Sequence, residues 1–458
     1  MCDVVLFSLA ARQKLEQRHA ARPTQVDSRM DDIARKLRLI FPEGRAAIVQ
    51  DLYSGYRIHD DEYVLLVELS NSGERDGRYV VKLGPPSELR KELDAWRGCR
   101  PAGLRHDLVL MPIEPRPNEE TIEGLVYADA QQFIGVDQTL TLEAALLDAC
   151  RVGFPTPESV ADVLFHLYER LGVVMYRYAS GVLPQEARNE LTLADLDLNS
   201  GSNPSPQLPN NLEAWMALER VPFEVRAYAN TPAADPPFCN DFRDPVDFFR
   251  WVDRHIRGGK SPAELLPSVL RGRGHGDLHG RNVLVGRVGD RVLWPAVYDH
   301  EHMGRRNLIG WDFVKLETEF KARAYPVLFP GLPKASVPDV ITFERELFER
   351  TEDYRESGNW PNRLADTERT HRGRLGWLIL KIREAACRQL GQLRGRSREW
   401  LAEYYFLLTL YGLNSIRYKN LESSQLLCAY LSSGTACARY AYDLGRRLVS
   451  AKAPEGNQ

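Results

Sequence analysis

The sequence predicts an α+β chain with a small β-rich N-terminal lobe, a large mainly helical C-terminal lobe and a helical extension at its end. Three observations carry that expectation: strand-like runs at 63–69 and 78–83, a separate hairpin pattern at 282–298, and dense helical periodicity beyond residue 312. Strands gathered first and helices later segregate into an α+β arrangement. The expected divisions are a helical segment over 1–45, a β lobe over 46–132, a helical lobe with its extension over 133–450, and a disordered tail over 451–458.

Residues 27–41 place Ile33, Leu37 and Ile40 at helical spacing. The stretch 47–57 precedes the strand at 63, which puts Ser54 and Gly55 at a hairpin tip. The runs 63–69 and 78–83 are separated by a polar turn segment, and Lys82 closes the second run. After Pro85 and Pro86, residues 87–96 read as a helix with Ser87 as N-cap. Residues 124–133 read as a last strand and hinge, and 141–150 as the start of a helix. The turn-rich stretch 183–209 reads as a loop or mobile insertion. Residues 245–257 should be helical, and Ser261-Pro262-Ala263-Glu264 is a capping box that starts a short helix leading to Arg271. The segments 374–382 and 400–408 have the apolar density of core helices, so their aromatic residues read as packing.

The most informative stretch is Gly274-His275-Gly276-Asp277-Leu278-His279-Gly280-Arg281-Asn282, with Asp299-His300-Glu301 downstream. An Asp, an Asn five positions on, two apolar runs joined at Gly289-Asp290 and then another Asp form the layout of a Mg²⁺-dependent phosphoryl-transfer site. Such chemistry needs positioning and charge neutralisation more than covalent help. Asp277 would orient an acceptor hydroxyl and take its proton. An antiparallel hairpin would bring Asn282 beside Asp299, and two hard oxygen donors suit Mg²⁺.

His275-Gly-Asp277-Leu-His279-x-x-Asn282 with Asp299-x-Glu301 resembles the signature of the aminoglycoside phosphotransferase and choline kinase-like family, relatives of the protein kinases. Protein kinases normally carry Arg where Gly276 stands, which favours the small-molecule branch. The resemblance implies a bilobal protein kinase-like fold, Asp277 as catalytic base, and Asn282 and Asp299 as magnesium ligands. It further implies that Lys82 pairs with nucleotide phosphates and is held by Glu92, with Glu88 as the alternative. Ser54 and Gly55 would form the phosphate-covering loop, although a full Gly-x-Gly-x-x-Gly is absent. Asp312, in Gly310-Trp311-Asp312, would brace the catalytic loop from behind, with His275 in structural support. ATP is the implied nucleotide and GTP an open alternative.

The implied acceptor is a hydroxyl on a small molecule. A protein-directed kinase or nucleotidyltransferase of a bacterial regulatory or conflict system is the alternative, and a nucleotide-binding pseudokinase a third. A polycationic acceptor would call for an acidic cleft. Glu317, Glu319, Glu344, Glu346, Glu349 and Asp353 are interleaved with basic residues, as on a solvated face. A choline-like cation would call for an aromatic cage, for which Trp311, Trp360 and Trp377 are candidates. The basic stretch 394–398 reads as a surface loop.

A net charge of −3 points away from nucleic acid, and no apolar run is long enough to span a bilayer. The start of the chain carries Asp3 where a secretory leader wants positive charge. Seven scattered cysteines without Cys-x-x-Cys spacing suit a reducing compartment rather than a disulfide framework or zinc site. The cytoplasm is the expected location.

Overall fold

The computed structural model describes residues 4–20, 26–42, 44–52, 62–71, 76–99, 109–112, 123–128, 133, 135–176, 188–190, 241–330, 337–393, 399–416 and 421–450. They divide into two compact units, a smaller one of Met1–Ala145 with Gly280–Met303 and a larger one of Leu146–His279 with Gly304–Gln458. The smaller unit contains β1 (Val4–Phe7), α1 (Leu9–Arg18), α2 (Val26–Ile40), β2 (Arg45–Asp51), β3 (Tyr63–Ser70) and β4 (Gly77–Leu83). After these come α3 (Pro86–Cys99), β5 (Met111–Pro112), β6 (Gly124–Ala128), β7 (Gln138–Thr141) and the first residues of α4 (Leu142–Arg151). In the larger unit lie α5 (Pro157–Leu171), β8 (Arg188–Glu190), α6 (Pro245–Arg257), α7 (Pro262–Leu265) and β9 (Ser268–Gly274). The chain then returns to the smaller unit for β10 (Val283–Val288) and β11 (Arg291–Val297). It ends in the larger unit with β12 (Gly304–Leu308), α8 (Trp311–Leu328), α9 (Val337–Ser357), α10 (His371–Leu393), α11 (Glu399–Ser415) and α12 (Ser423–Ser450).

The smaller unit is built on a six-stranded sheet in the order β1-β2-β3-β4-β6-β5. Only β1, at one edge, pairs in parallel; the other neighbours are antiparallel. Both faces of this sheet are covered. On one, Val64, Leu66 and Val80 pack with Leu89 and Leu93 of α3 and with Leu284 and Ala296 of the hairpin. On the other, Leu65, Val67 and Val81 pack with Leu15 of α1 and with Ile33 and Leu37 of α2. That double cover explains why β3 reads as a continuous apolar run instead of alternating with polar residues.

The expected α+β arrangement is found, with the β-rich unit small and the helical unit large. The hairpin turn falls at Gly289-Asp290, with Gly289 at a φ of 59° that suits glycine. The helix over 245–257 and the Ser261–Glu264 capping box are also present, the Ser261 N–H donating to Glu264 Oε1 at 3.2 Å. Several local expectations need correction. Helix α3 begins at Pro86, with the Pro85 carbonyl accepting from Glu88 and Leu89, so Ser87 lies inside the first turn; Pro fits there because that position needs no N–H. Within 183–209, Arg188–Glu190 forms a strand against β9. Strands β1 and β7 are short, four residues each, and sheet pairing rather than local propensity makes them strands. The tail 451–458, the stretch 394–398 and the hinge at 129–132 lie outside the described residues.

The interior of the larger unit is aromatic and helical, with Trp377, Tyr404, Tyr405, Tyr411 and Tyr430 fully buried. It also holds charges that the sequence suggested were on a solvated face. Glu317 and Lys321 of α8, Glu344 of α9 and Arg383 of α10 are all inaccessible to water. Arg383 donates to Glu317 at 2.7 Å, and Lys321 lies 2.6 Å from Glu317 and 2.9 Å from Glu344. Tyr404 and Tyr325 add hydroxyl donors to Glu317 and Glu344 at 2.6 and 2.7 Å. Four helices contribute, so pairwise periodicity along any one of them could not reveal the network. Trp377 belongs to this core and Trp311 meets Tyr411 edge-on, while Trp360 packs near Tyr354; the three tryptophans form no common cage. Among the described residues, no helix is long and apolar enough to cross a membrane.

Candidate functional site

In the smaller unit, the pleat of β4 sends Lys82 to the same face as Val80, toward α3. Glu92 lies one helical turn beyond Glu88 on the inner side of α3 and is fully buried. The two side chains meet: Lys82 Nζ donates to Glu92 Oε2 at 2.9 Å. It also donates to Asp299 Oδ1 at 2.8 Å and lies 3.7 Å from Glu62. Glu88 pairs instead with Lys91 of its own helix. Burial acts to lower the Lys82 pKa, but the carboxylates of Asp299 and Glu92 outweigh it and hold the ammonium well above its ordinary value.

Glu92 is also bound by groups the sequence did not single out. It accepts the Tyr127 hydroxyl and, at 2.8 Å, the His300 backbone N–H. His300 is buried, and its Nε2 contacts the Leu110 carbonyl at 2.9 Å, so Nε2 carries the proton. Burial lowers the His300 pKa and keeps the ring neutral. These residues tie α3, β6 and the end of the hairpin to one carboxylate. The signal in the sequence was only that His300 follows Asp299.

The hairpin sets the remaining oxygen donors. Val283 faces Val297, and the Asn282 carbonyl accepts the Tyr298 N–H at 3.1 Å, so Asn282 and Asp299 flank the open end of one ladder. Asp299 has a φ of 64°, an uncommon conformation for a residue with a side chain. Its carboxylate keeps a quarter of its surface exposed. Around Lys82, one ammonium faces the three carboxylates of Glu92, Asp299 and Glu62. Among the described residues, no group of three or more His, Cys, Asp or Glu converges as a metal cage. Mg²⁺ takes few protein ligands and completes its sphere with phosphate and water oxygens, a demand that Asn282 and Asp299 fit. Ser54 and Gly55 lie outside the described residues.

The larger unit holds the other candidates. Asp312, at the start of α8, is fully buried and receives three donors: the His275 N–H at 3.0 Å, the Gly276 N–H at 2.8 Å and the Tyr176 hydroxyl at 3.1 Å. Gly276 has a φ of 77°, which explains a glycine at this point of the loop. Burial raises Asp312 to about 6, opposed by the Gly276 and His275 N–H groups. Asp277 follows this pinned backbone. One of its carboxylate oxygens contacts Lys315 Nζ, and the other lies 3.5 Å from His279 Nε2. Lys315, one turn along α8 from Asp312, is buried. Burial lowers it to about 8, with Glu319 opposing. Nothing in the sequence singled out Lys315, although its place three residues after Asp312 puts both on one helix face.

No family model matches the chain, and no curated protein matches it. Among solved structures, an ethanolamine kinase from Plasmodium vivax aligns over 91% of this chain and 83% of its own, at 11% identity and a TM-score of 0.29. A glucosamine kinase aligns over 90% and 97%, at 13% identity and a TM-score of 0.39. A microcompartment-associated aminopropanol kinase aligns over 87% and 95%, at 14% identity and a TM-score of 0.30. All three are small-molecule kinases by name.

Proposed function

We propose that the chain is a Mg²⁺-dependent phosphotransferase that moves the γ-phosphate of ATP, or of GTP, to a hydroxyl group of a small molecule. The observation that carries this reading is the buried Lys82, held by Glu92 and Asp299 while the Asp299 carboxylate stays a quarter exposed at the hairpin end that also carries Asn282. A purely structural ion pair has no need of an accessible carboxylate beside a second oxygen donor. A metal bound with polyphosphate does, because it takes few protein ligands and fills the rest of its sphere with phosphate and water oxygens.

In this reading Lys82 binds the nucleotide phosphates, and Glu92, fixed by Tyr127 and His300, keeps the ammonium in place. Asn282 and Asp299 are the residues that would hold Mg²⁺, which when bound offsets charge on the phosphates. Asp277 orients the acceptor hydroxyl and accepts its proton as the oxygen bonds to the γ-phosphorus and the bond to the departing nucleoside diphosphate breaks. A loose transition state asks little of the base strength of Asp277, so the nearby Lys315 is compatible with the role. Asp312, through the His275 and Gly276 N–H groups, fixes the backbone that carries Asp277. The substrate is a small molecule on this reading; a modified protein would appear as self-phosphorylation or an AMP adduct in the intact mass.

The test is Mg²⁺-ATP binding and phosphate transfer or release by the wild-type protein beside Asp277→Asn, with GTP in parallel. Turnover should fall by about 10²- to 10⁴-fold in the variant while nucleotide affinity changes little. Full turnover in Asp277→Asn, or no nucleotide binding by the wild type, would overturn the reading.

A further inference from the structure

Lys315 is more than a neighbour of Asp277. Its ammonium contacts the Asp277 carboxylate and lies over the ring of Tyr411, 5.6 Å from the centroid. Glu319, one turn further along α8, is the other carboxylate acting on it, and it accepts the Tyr411 hydroxyl at 2.9 Å. Trp311 meets Tyr411 edge-on at 4.9 Å. Two carboxylates and an aromatic face are the components with which a protein captures an ammonium ligand. Here the chain supplies the ammonium itself, on a buried side chain of a helix.

We infer that Lys315 is a specificity-determining residue that reserves the acceptor side of Asp277 for neutral or anionic hydroxyl compounds and turns ammonium-bearing ones away. The inference rests on the proposal that Asp277 orients the acceptor. A hydroxyl that approaches Asp277 also approaches the Lys315 ammonium. A positive group on the same small molecule is repelled by it, and an anionic one is attracted. Asp277 accepts a neutral hydroxyl whether or not its charge is balanced. Lys315 therefore discriminates by the charge of what surrounds the hydroxyl. Removing that ammonium should leave Asp277, Glu319 and Tyr411 as an unfilled cation site.

The experiment compares the full-length wild type with Lys315→Met and Lys315→Arg, using Mg²⁺-ATP and ethylene glycol, glycerol, glycolate and ethanolamine as matched probes. Product formation is followed by phosphorus NMR, and binding in the presence of Mg²⁺-ADP by saturation-transfer NMR. The wild type should bind and use the neutral and anionic probes in preference to ethanolamine. Lys315→Met should raise the ratio of ethanolamine to ethylene glycol by about tenfold or more, chiefly through KM, whereas Lys315→Arg should keep the wild-type ratio. Reading a ratio within each variant cancels partial loss of folded protein. A wild-type preference for ethanolamine, no binding of the neutral and anionic probes, or an unchanged ratio in Lys315→Met overturns the inference. Asp277→Asn in the same assay separates the two levels. Turnover lost in that variant beside an ethanolamine preference in the wild type defeats only the role of Lys315. Turnover unaffected by Asp277→Asn defeats the phosphotransfer proposal as well.

Discussion

Two groups of buried charges, one in each unit, differ in a way that separates holding a fold together from preparing for a ligand. In the larger unit, Glu317 and Glu344 face Lys321 and Arg383, two carboxylates against two cations, and all four side chains are sealed from water. In the smaller unit, Lys82 is held between Glu92, which is sealed, and Asp299, which remains partly open to solvent, with Glu62 at 3.7 Å. The first group is closed to water on every side. The second keeps one carboxylate accessible, which is what a site for a metal and its nucleotide requires. Burial of charge alone is a poor guide to function; burial together with access is the better one.

The largest expected effect falls on the sealed group. Arg383→Met leaves Glu317 and Glu344 with one cation and no water, which should cost about 3–5 kcal/mol. Urea denaturation followed by far-UV circular dichroism would measure it. A loss below about 1 kcal/mol would mean that the group is not sealed as described and that the contrast between the units is smaller.

Lys82→Met should reverse the balance between stability and activity. Asp299 can recruit water or a metal cation, so the fold should lose less than it does in Arg383→Met. If Lys82 binds the nucleotide phosphates as proposed, turnover should fall by about 10²- to 10³-fold because a positioned charge is gone. The decisive comparison is the two variants side by side, each assayed for unfolding midpoint and for phosphate transfer. Equal stability losses with no selective fall in the Lys82 variant's activity would make both groups structural.

The pH dependence of stability offers a third discrimination, inside the larger unit. Glu317 is held at about 2, its burial outweighed by Arg383 and Lys321. Its contribution is present above the unfolded carboxylate value and disappears as pH falls through that value toward about 2, roughly 3 kcal/mol in all. Asp312 has the opposite sign. Burial raises it to about 6, so the native state binds its proton more tightly than the unfolded chain does. Stability is therefore lost as pH rises from the unfolded value through about 6, again by roughly 3 kcal/mol. Asp312→Asn should flatten the slope between pH 4 and 6, and Glu317→Gln the slope below pH 4.5, in denaturant titrations at stepped pH. Identical slopes in the wild type and Asp312→Asn would show that this carboxyl titrates as in the unfolded chain.

Much of this arrangement could be read from the sequence, for identifiable reasons. The hairpin was legible because Gly289-Asp290 sits between two β-rich runs, and Lys82 and Glu92 because the resemblance implies a lysine at the end of that strand and a carboxylate on the helix after it. Helix α6 was legible from its amphipathic pattern and Pro245 at its first turn. The contributions of Tyr127, His300 and Lys315 were not, since Tyr127 and His300 reach Glu92 across 35 and 208 residues of chain and Lys315 lies on a helix face whose partner is unknown until the fold is built. The same limit made Glu317 and Glu344 look solvated. A charge run along one helix gives no sign of Arg383 and Tyr404 arriving from two others.

The smallest effect expected tests how firmly the loop before Asp277 is held. Tyr176 donates its hydroxyl to Asp312 Oδ2, the oxygen that also accepts the His275 N–H, while Gly276 binds Oδ1. Tyr176→Phe removes one of three donors and keeps the ring against Phe313. The cost should be about 1 kcal/mol, the usual net worth of one hydrogen bond. With one fewer donor to its ionised form, Asp312 should titrate higher still, steepening the stability slope just above pH 6. Nucleotide affinity should not change, because Tyr176 belongs to the larger unit and Lys82 to the smaller. If Tyr176→Phe instead weakened nucleotide binding as much as Lys82→Met, the proposed division of labour between Lys82 in the smaller unit and the braced Asp277 loop in the larger would fail. A loss confined to stability and turnover would show that two backbone N–H groups suffice to keep the loop in register, with the tyrosine fine-tuning the carboxylate that receives them.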